Sequence, residues 1–249
     1  DGGVSEADAQ YRIKFENVSF SYLKVKNNIE NISFALKEGE SLGIIGGTGS
    51  GKSTLAHLIL RLYDVTGGRV KLDGVDVREY PFAQLREQIG IVPQKSVLFS
   101  GTVRDNLKWR SQSADDSELW EALKTAQAYD FVSKLPNGLD SKIDQGGRNF
   151  SGGQRQRLCI ARAIVGAPKL LILDDSFSAL DFATDEALRK ALAEKKGDST
   201  VIIVTQRCST IKKYEKIPPA MRSEGFLLIG YIGYQYRPSI STGYLRGDT

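Results

Sequence analysis

Nine consecutive residues, Gly46-Gly47-Thr48-Gly49-Ser50-Gly51-Lys52-Ser53-Thr54, constrain the fold of this chain more than any other stretch. They fit the pattern G-x-x-x-x-G-K-[ST]. They lie between the apolar segment Ser41-Leu42-Gly43-Ile44-Ile45, which has the length and character of a buried strand, and the amphipathic run from Leu55 to Leu62. Strand, glycine turn and helix in this order build a phosphate cradle. The glycines let consecutive backbone N–H groups turn toward one concavity, and the positive end of a helix starting near Lys52 adds to the field there. Lys52 has the length to meet terminal phosphates, and Ser53 places a hydroxyl where Mg2+ bridges them. The spacing therefore predicts a nucleotide-binding α/β fold, without saying whether the nucleotide is hydrolysed or what hydrolysis drives.

A chain of 249 residues, 41% of them apolar, buries enough core for one large α/β domain or two small lobes. The formal charge is +4, but residues 212–249 hold six Lys/Arg against three Asp/Glu, so the first 211 residues are nearly neutral. No nucleic-acid partner is inferred from that balance. Two cysteines, Cys159 and Cys208, make no disulfide framework; Cys159 falls on a helical apolar face and reads as a buried thiol, and the expected setting is reducing and cytosolic. The longest apolar run, Phe226 to Ile232, falls short of the ~20 residues a membrane span needs. The chain begins at Asp1 with neither a methionine nor a signal-like region, so it is expected to be a piece of a longer polypeptide. Any membrane part would lie outside it.

Residues 11–22 alternate apolar and polar positions as an antiparallel strand does, and Ile32 to Leu36 repeats the pattern before a turn at Glu38-Gly39. Arg69 to Asp73 continues this β lobe after Gly67-Gly68, and Ile89 to Val92 reads as a buried strand ending at Pro93-Gln94. From Thr102 to Pro136 the spacing turns helical, with Leu119, Trp120, Leu123 and Ala126 on one face. A helix is expected from the Ser151-Gly152-Gly153-Gln154 segment through Ile164, a strand at Lys169 to Leu173 running into Asp174-Asp175, a helix at 183–195 and a second parallel strand at Thr200 to Thr205. The expected divisions are a linker remnant at 1–10, a nucleotide-binding domain at 11–211 with a helical subdomain at about 102–165, and an atypical segment at 212–249. His57, the only histidine, sits mid-helix and reads as a packing residue.

An apolar strand ending in an aspartate downstream of a phosphate loop is the second half of a Mg2+–nucleotide site, which assigns Asp174 to the metal. With Ser151-Gly152-Gly153-Gln154 at a helix start and Gln94 at a strand end between the two, residues 11–211 resemble the nucleotide-binding domain of ATP-binding cassette (ABC) transporters. The resemblance implies a P-loop NTPase core of ABC type with an antiparallel β lobe and an inserted helical subdomain. It also implies roles. Tyr22 stacks on adenine, Gln94 senses Mg2+ and contacts the transmembrane domain, and Asp181 belongs to a loop crossing between two such domains. Ser151 to Gln154 present N–H groups to the γ-phosphate bound by a partner chain. The family thus implies ATP and Mg2+ as cofactors, a second nucleotide-binding domain and an exporter's transmembrane domain as partners, and a place at the cytoplasmic face of the membrane.

Two positions depart from the family. Where members that hydrolyse ATP well carry a histidine after the final strand, this chain has Gln206, which donates a hydrogen bond but carries no positive charge. Where a glutamate polarises the attacking water, it has Asp175, shorter by one methylene. Losing general-base assistance costs ~10²–10⁴ in rate. With Lys52, these are the residues on which turnover at this chain's own site depends. The pattern resembles the degenerate subunit of a heterodimeric exporter, an expectation with which Leu98 to Leu107 and Gln145-Gly146-Gly147 agree. The segment after Ile211 matches nothing in the family; Phe226-Leu227-Leu228-Ile229 suits a strand, and an altered terminus is equally compatible. Two readings remain, a transport motor and a nucleotide-gated regulatory module with negligible hydrolysis. The absence of a coiled-coil insertion or second cassette argues against a soluble ABC protein acting on DNA or ribosomes.

Overall fold

The structure is a computed structural model and describes residues 9–23, 29–177, 179–195, 199–205 and, as backbone, 228–231. Its internal contacts divide the chain into two compact units: residues up to Gln88 together with those from Thr200, and residues Ile89–Ser199.

The first unit opens with β1 (Tyr11–Phe20), which pairs antiparallel with β2 (Ile29–Lys37) on one side and β4 (Gly67–Leu72) on the other; the short β5 (Val75–Asp76) completes a sheet in the order β2-β1-β4-β5. Its alternation is that of the sequence: Ile13, Phe15, Val18 and Phe20 are buried, and Phe15 lies opposite Phe34 with the rings stacked at 4.4 Å. Both ladders slip near Asn17, which takes the left-handed conformation with φ 47. That bulge needs Gly68 across from it, because a Cβ there would stand 2.3 Å from the Glu16 carbonyl oxygen. Beyond the bulge the strand delivers Phe20 and Tyr22.

A second layer of the same unit holds β3 (Ser41–Ile45), parallel to β10 (Thr200–Thr205) from Ser41–Val201 to Ile45–Thr205, and antiparallel to β11 (Leu228–Tyr231). All six residues of β10 are buried, as its unbroken apolar run requires of a strand covered on both faces. Its start is fixed by hydrogen bonds from the Thr200 hydroxyl to the Lys37 carbonyl (2.9 Å) and from the Val201 N–H to that of Glu40 (3.0 Å). β11 begins two residues beyond Phe226, where the sequence suited a strand. After β3 comes α1 (Lys52–Ile59), whose Leu55, Leu58 and Ile59 face the core.

In the second unit, β6 (Ile89–Val92) and β9 (Leu170–Asp174) run parallel, from Ile89–Leu170 to Val92–Leu173. Helix α2 (Phe82–Glu87), still in the first unit, falls outside the segments expected to be helical, whereas α3 (Val103–Leu107), α4 (Asp116–Thr125), α5 (Tyr129–Val132), α6 (Gly152–Ile164) and α7 (Phe182–Lys195) follow the expected helical texture. Leu119, Leu123 and Ala126 are buried as their spacing implies, while Trp120 lies at the margin against Tyr129. A small hairpin pairs β7 (Gly101–Thr102) with β8 (Lys142–Ile143). Gly90 lets α6 approach β6, since a Cβ there would sit 2.3 Å from the Ala163 carbonyl oxygen. The compact unit is wider than the 102–165 insertion and includes β6, β9 and α7.

Candidate nucleotide-binding site

The cradle lies wholly within the first unit. β3 ends at Ile45 and the chain turns through Gly49 and Gly51 at φ +81 and +86, values that suit glycine. A Cβ at Gly47 or Gly49 would meet nothing within 4 Å, so the loop is open on that side. Gly47, Thr48 and Gly49 are exposed, whereas Gly46, Ser50 and Thr54 are buried and Ser53 is half-buried. Helix α1 starts at Gly51 without a side-chain cap. By contrast α3, α4 and α6 each begin with a complete capping box. Helix α1 thus leaves its first N–H groups without a side-chain partner at the cap, as the short helices Phe82–Glu87 and Tyr129–Val132 also do.

Lys52 is only 7% exposed, and its ammonium donates to the carbonyl oxygens of Gly46 (2.7 Å) and Gly47 (2.5 Å) and to the Ser50 hydroxyl (3.4 Å). The loop thereby carries a fixed positive charge inside its own curve. Tyr22 belongs to the same neighbourhood: its hydroxyl and that of Thr54 share a hydrogen bond of 3.1 Å, and 43% of the residue is exposed. His57 is half-buried, its ring 6.1 Å from that of Tyr63, in keeping with a packing role.

The second unit holds the remaining described residues. Asp174 closes β9 at 7% exposure, and Asp175 follows in the left-handed conformation with φ 46. Next, the fully buried Ser176 donates to the Val92 carbonyl (3.0 Å) and the Asp174 carbonyl (3.3 Å), tying the end of β9 to that of β6. Sequence reasoning missed this clamp, which has no signature beyond a serine after two aspartates. Gln94 is exposed two residues after β6.

At the start of α6 the Gln154 N–H donates to the Ser151 hydroxyl (3.2 Å) and the Ser151 N–H to the Gln154 side-chain carbonyl (2.9 Å). The capping box thus engages both ends of the expected phosphate-facing turn, and Gly152 and Gly153 are the positions between them. Arg155 reaches back to the Phe150 carbonyl (2.7 Å), and Gly147 at φ +69 leaves room for its side chain. Asp181 accepts from the Thr184 N–H (3.0 Å) and hydroxyl (2.8 Å), which hold its carboxyl below its ordinary value. Gln206 lies outside the described residues.

The ABC transporter family profile matches residues 29–178, and the chain belongs to that family as an ATP-binding domain. It is 50% identical over 192 residues, 76% of this chain and 33% of the other, to an uncharacterised ABC transporter ATP-binding protein of Mycobacterium tuberculosis. It is 41% identical over 220 residues, 87% of this chain and 38% of the other, to the ATP-dependent lipid A-core flippase of Haemophilus influenzae. Among solved structures, a bacterial Atm1-family ABC exporter with ATP bound superimposes with a TM-score of 0.76 at 35% identity, covering 81% of this chain and 35% of that one. The fold is therefore the mixed α/β fold of an ABC nucleotide-binding domain. The chain spans about a third of the length of these relatives. Among the described residues no helix is long and apolar enough to cross a membrane.

Proposed function

We propose that this chain is the motor domain of an ABC exporter, coupling ATP binding and hydrolysis to export of a solute, and that its own site hydrolyses ATP slowly. The observation that carries the reading is Asp175, directly after the buried end of β9, in the place where the family usually has a glutamate. Its carboxylate is one methylene short and its backbone is held left-handed at φ 46. The shorter side chain limits its reach toward a water that a general base must approach to ~2.6–3.2 Å. Gln206, in place of histidine, removes a charge that would steady the phosphate.

The residues fit ATP and Mg2+. The cradle from Gly46 to Thr54 offers an uncapped helix start and the Lys52 ammonium to the phosphates, and Tyr22 offers a half-exposed ring to the base. The metal would be held by the Ser53 hydroxyl and the Gln94 side-chain oxygen, and by the Asp174 carboxylate through its water shell. All three offer hard oxygen atoms. Such a set suits Mg2+, which keeps waters and shares substrate phosphates. When bound, Mg2+ neutralises charge on the terminal phosphates.

In this reading Ser151, Gly152, Gly153 and Gln154 complete the site of a second nucleotide-binding domain, a different chain with the glutamate and histidine lacking here. The pair works beneath a transmembrane domain at the cytoplasmic face of the membrane. Asp175 also favours a second reading, a nucleotide-gated regulatory module with negligible hydrolysis even beside its partner. With the partner present, Asp175→Glu combined with Gln206→His is expected to raise hydrolysis at this chain's own site; unchanged turnover would contradict the assignment of the defect to these two residues.

A further inference from the structure

Tyr63 belongs to none of the assigned motifs, yet it packs against the residue assigned to the base. The rings of Tyr22 and Tyr63 meet at 90° with centroids 5.1 Å apart, and Phe20 adds a second perpendicular contact to Tyr22 at 86° and 4.7 Å. Phe20 and Tyr63 also touch, at 5.6 Å, so the three rings close a triangle. Phe20 is buried in β1, while Tyr22 and Tyr63 are 43% and 46% exposed.

The turn that carries Tyr63 is stiff. Arg61 is left-handed at φ 51, its guanidinium pairs with Asp64 at 3.1 Å across Tyr63, and a second donor reaches the Tyr80 carbonyl at 3.2 Å. The Leu62 N–H closes onto the His57 carbonyl at 2.9 Å. Thr66 then ties the turn to the strand bearing Phe20, its N–H and hydroxyl both donating to the Ser19 carbonyl at 2.9 and 3.0 Å. So large an investment of hydrogen bonds around an exposed tyrosine needs an explanation, and Tyr22 supplies it. A ring anchored through its hydroxyl on Thr54 and braced edge-to-face by Tyr63 keeps one orientation instead of sampling several, so less entropy is lost when a base stacks on it.

We propose that Tyr63 is a positioning residue for base recognition, holding Tyr22 in the orientation that receives a purine ring. The proposal rests on the reading of Tyr22 as the base-stacking residue. It is tested by titrating the full chain with ATP and, separately, with tripolyphosphate, which has the phosphates but no base. Tyr22→Ala is expected to weaken ATP on the order of tenfold, and Tyr63→Leu about threefold to tenfold, with tripolyphosphate unchanged in both. Tyr63→Phe retains ATP affinity because the ring is what braces. The double variant Tyr22→Ala, Tyr63→Leu binds ATP no worse than Tyr22→Ala alone, since Tyr63 acts only through Tyr22. Unchanged ATP affinity in Tyr22→Ala overturns the underlying reading. A normal Tyr22 effect with no effect of Tyr63→Leu, an equal loss of tripolyphosphate, or additive losses in the double variant would overturn the role of Tyr63 and leave that of Tyr22 standing.

Discussion

Lys52 shows how a single residue's role is fixed before any ligand arrives. Its ammonium is held at 2.7 Å and 2.5 Å by two carbonyl oxygens of its own loop, so the charge is already placed inside the cradle. Lys52→Ala is expected to lower ATP affinity about tenfold to a hundredfold, the worth of one charged hydrogen-bonding partner. Nucleotide titration measures it, and equal affinity in the variant would remove the cradle assignment. The identity of this residue was legible because G-x-x-x-x-G-K-[ST] fixes a lysine by spacing alone. Its carbonyl contacts were not, because they depend on how the loop curls. Asp175 divides the same way: its shortness is written in the sequence, its left-handed backbone is not. Tyr63 was illegible altogether, for a tyrosine after a helix gains meaning only when a strand distant in sequence brings Tyr22 beside it.

The contrast between α1 and α6 is a matter of elements. Helix α6 is self-capped by Ser151 and Gln154, while α1 starts from glycine without a side-chain cap. This separates two tasks that the serine performs. Ser151→Ala is expected to cost about 1 kcal/mol of stability through loss of the cap, read from the shift of a chemical-denaturation curve. Ser151→Asp keeps the cap and the stability, but it sets a carboxylate where a partner's phosphate is proposed to lie and abolishes partner-dependent hydrolysis. If the aspartate variant retained that hydrolysis, the turn would not face a phosphate. Most elements were legible. The alternation of β1, the unbroken apolar run of β10 and the helical spacing around Leu119 and Leu123 each record how many faces the element buries. Bulges and registers escaped, because the slip at Asn17 is set by Gly68 of another strand, and so did the antiparallel pairing of β11 with β3.

On the scale of the whole molecule, the chain carries two kinds of equipment of unequal quality. Its cradle and its Ser151 to Gln154 turn are complete, whereas Asp175 and Gln206 depart from the family. A complete phosphate-loop motif, together with the weak general base proposed for Asp175, predicts tight ATP binding with slow turnover, and a complete turn predicts that a partner's site is served well. The measurement that decides this is ATP affinity and ATPase rate of the purified chain, alone and with a nucleotide-binding domain that carries the glutamate and histidine lacking here. The account predicts tight binding and little hydrolysis alone, with strong hydrolysis once the partner is added. Brisk hydrolysis by the chain alone would contradict it, by showing that Asp175 and Gln206 suffice.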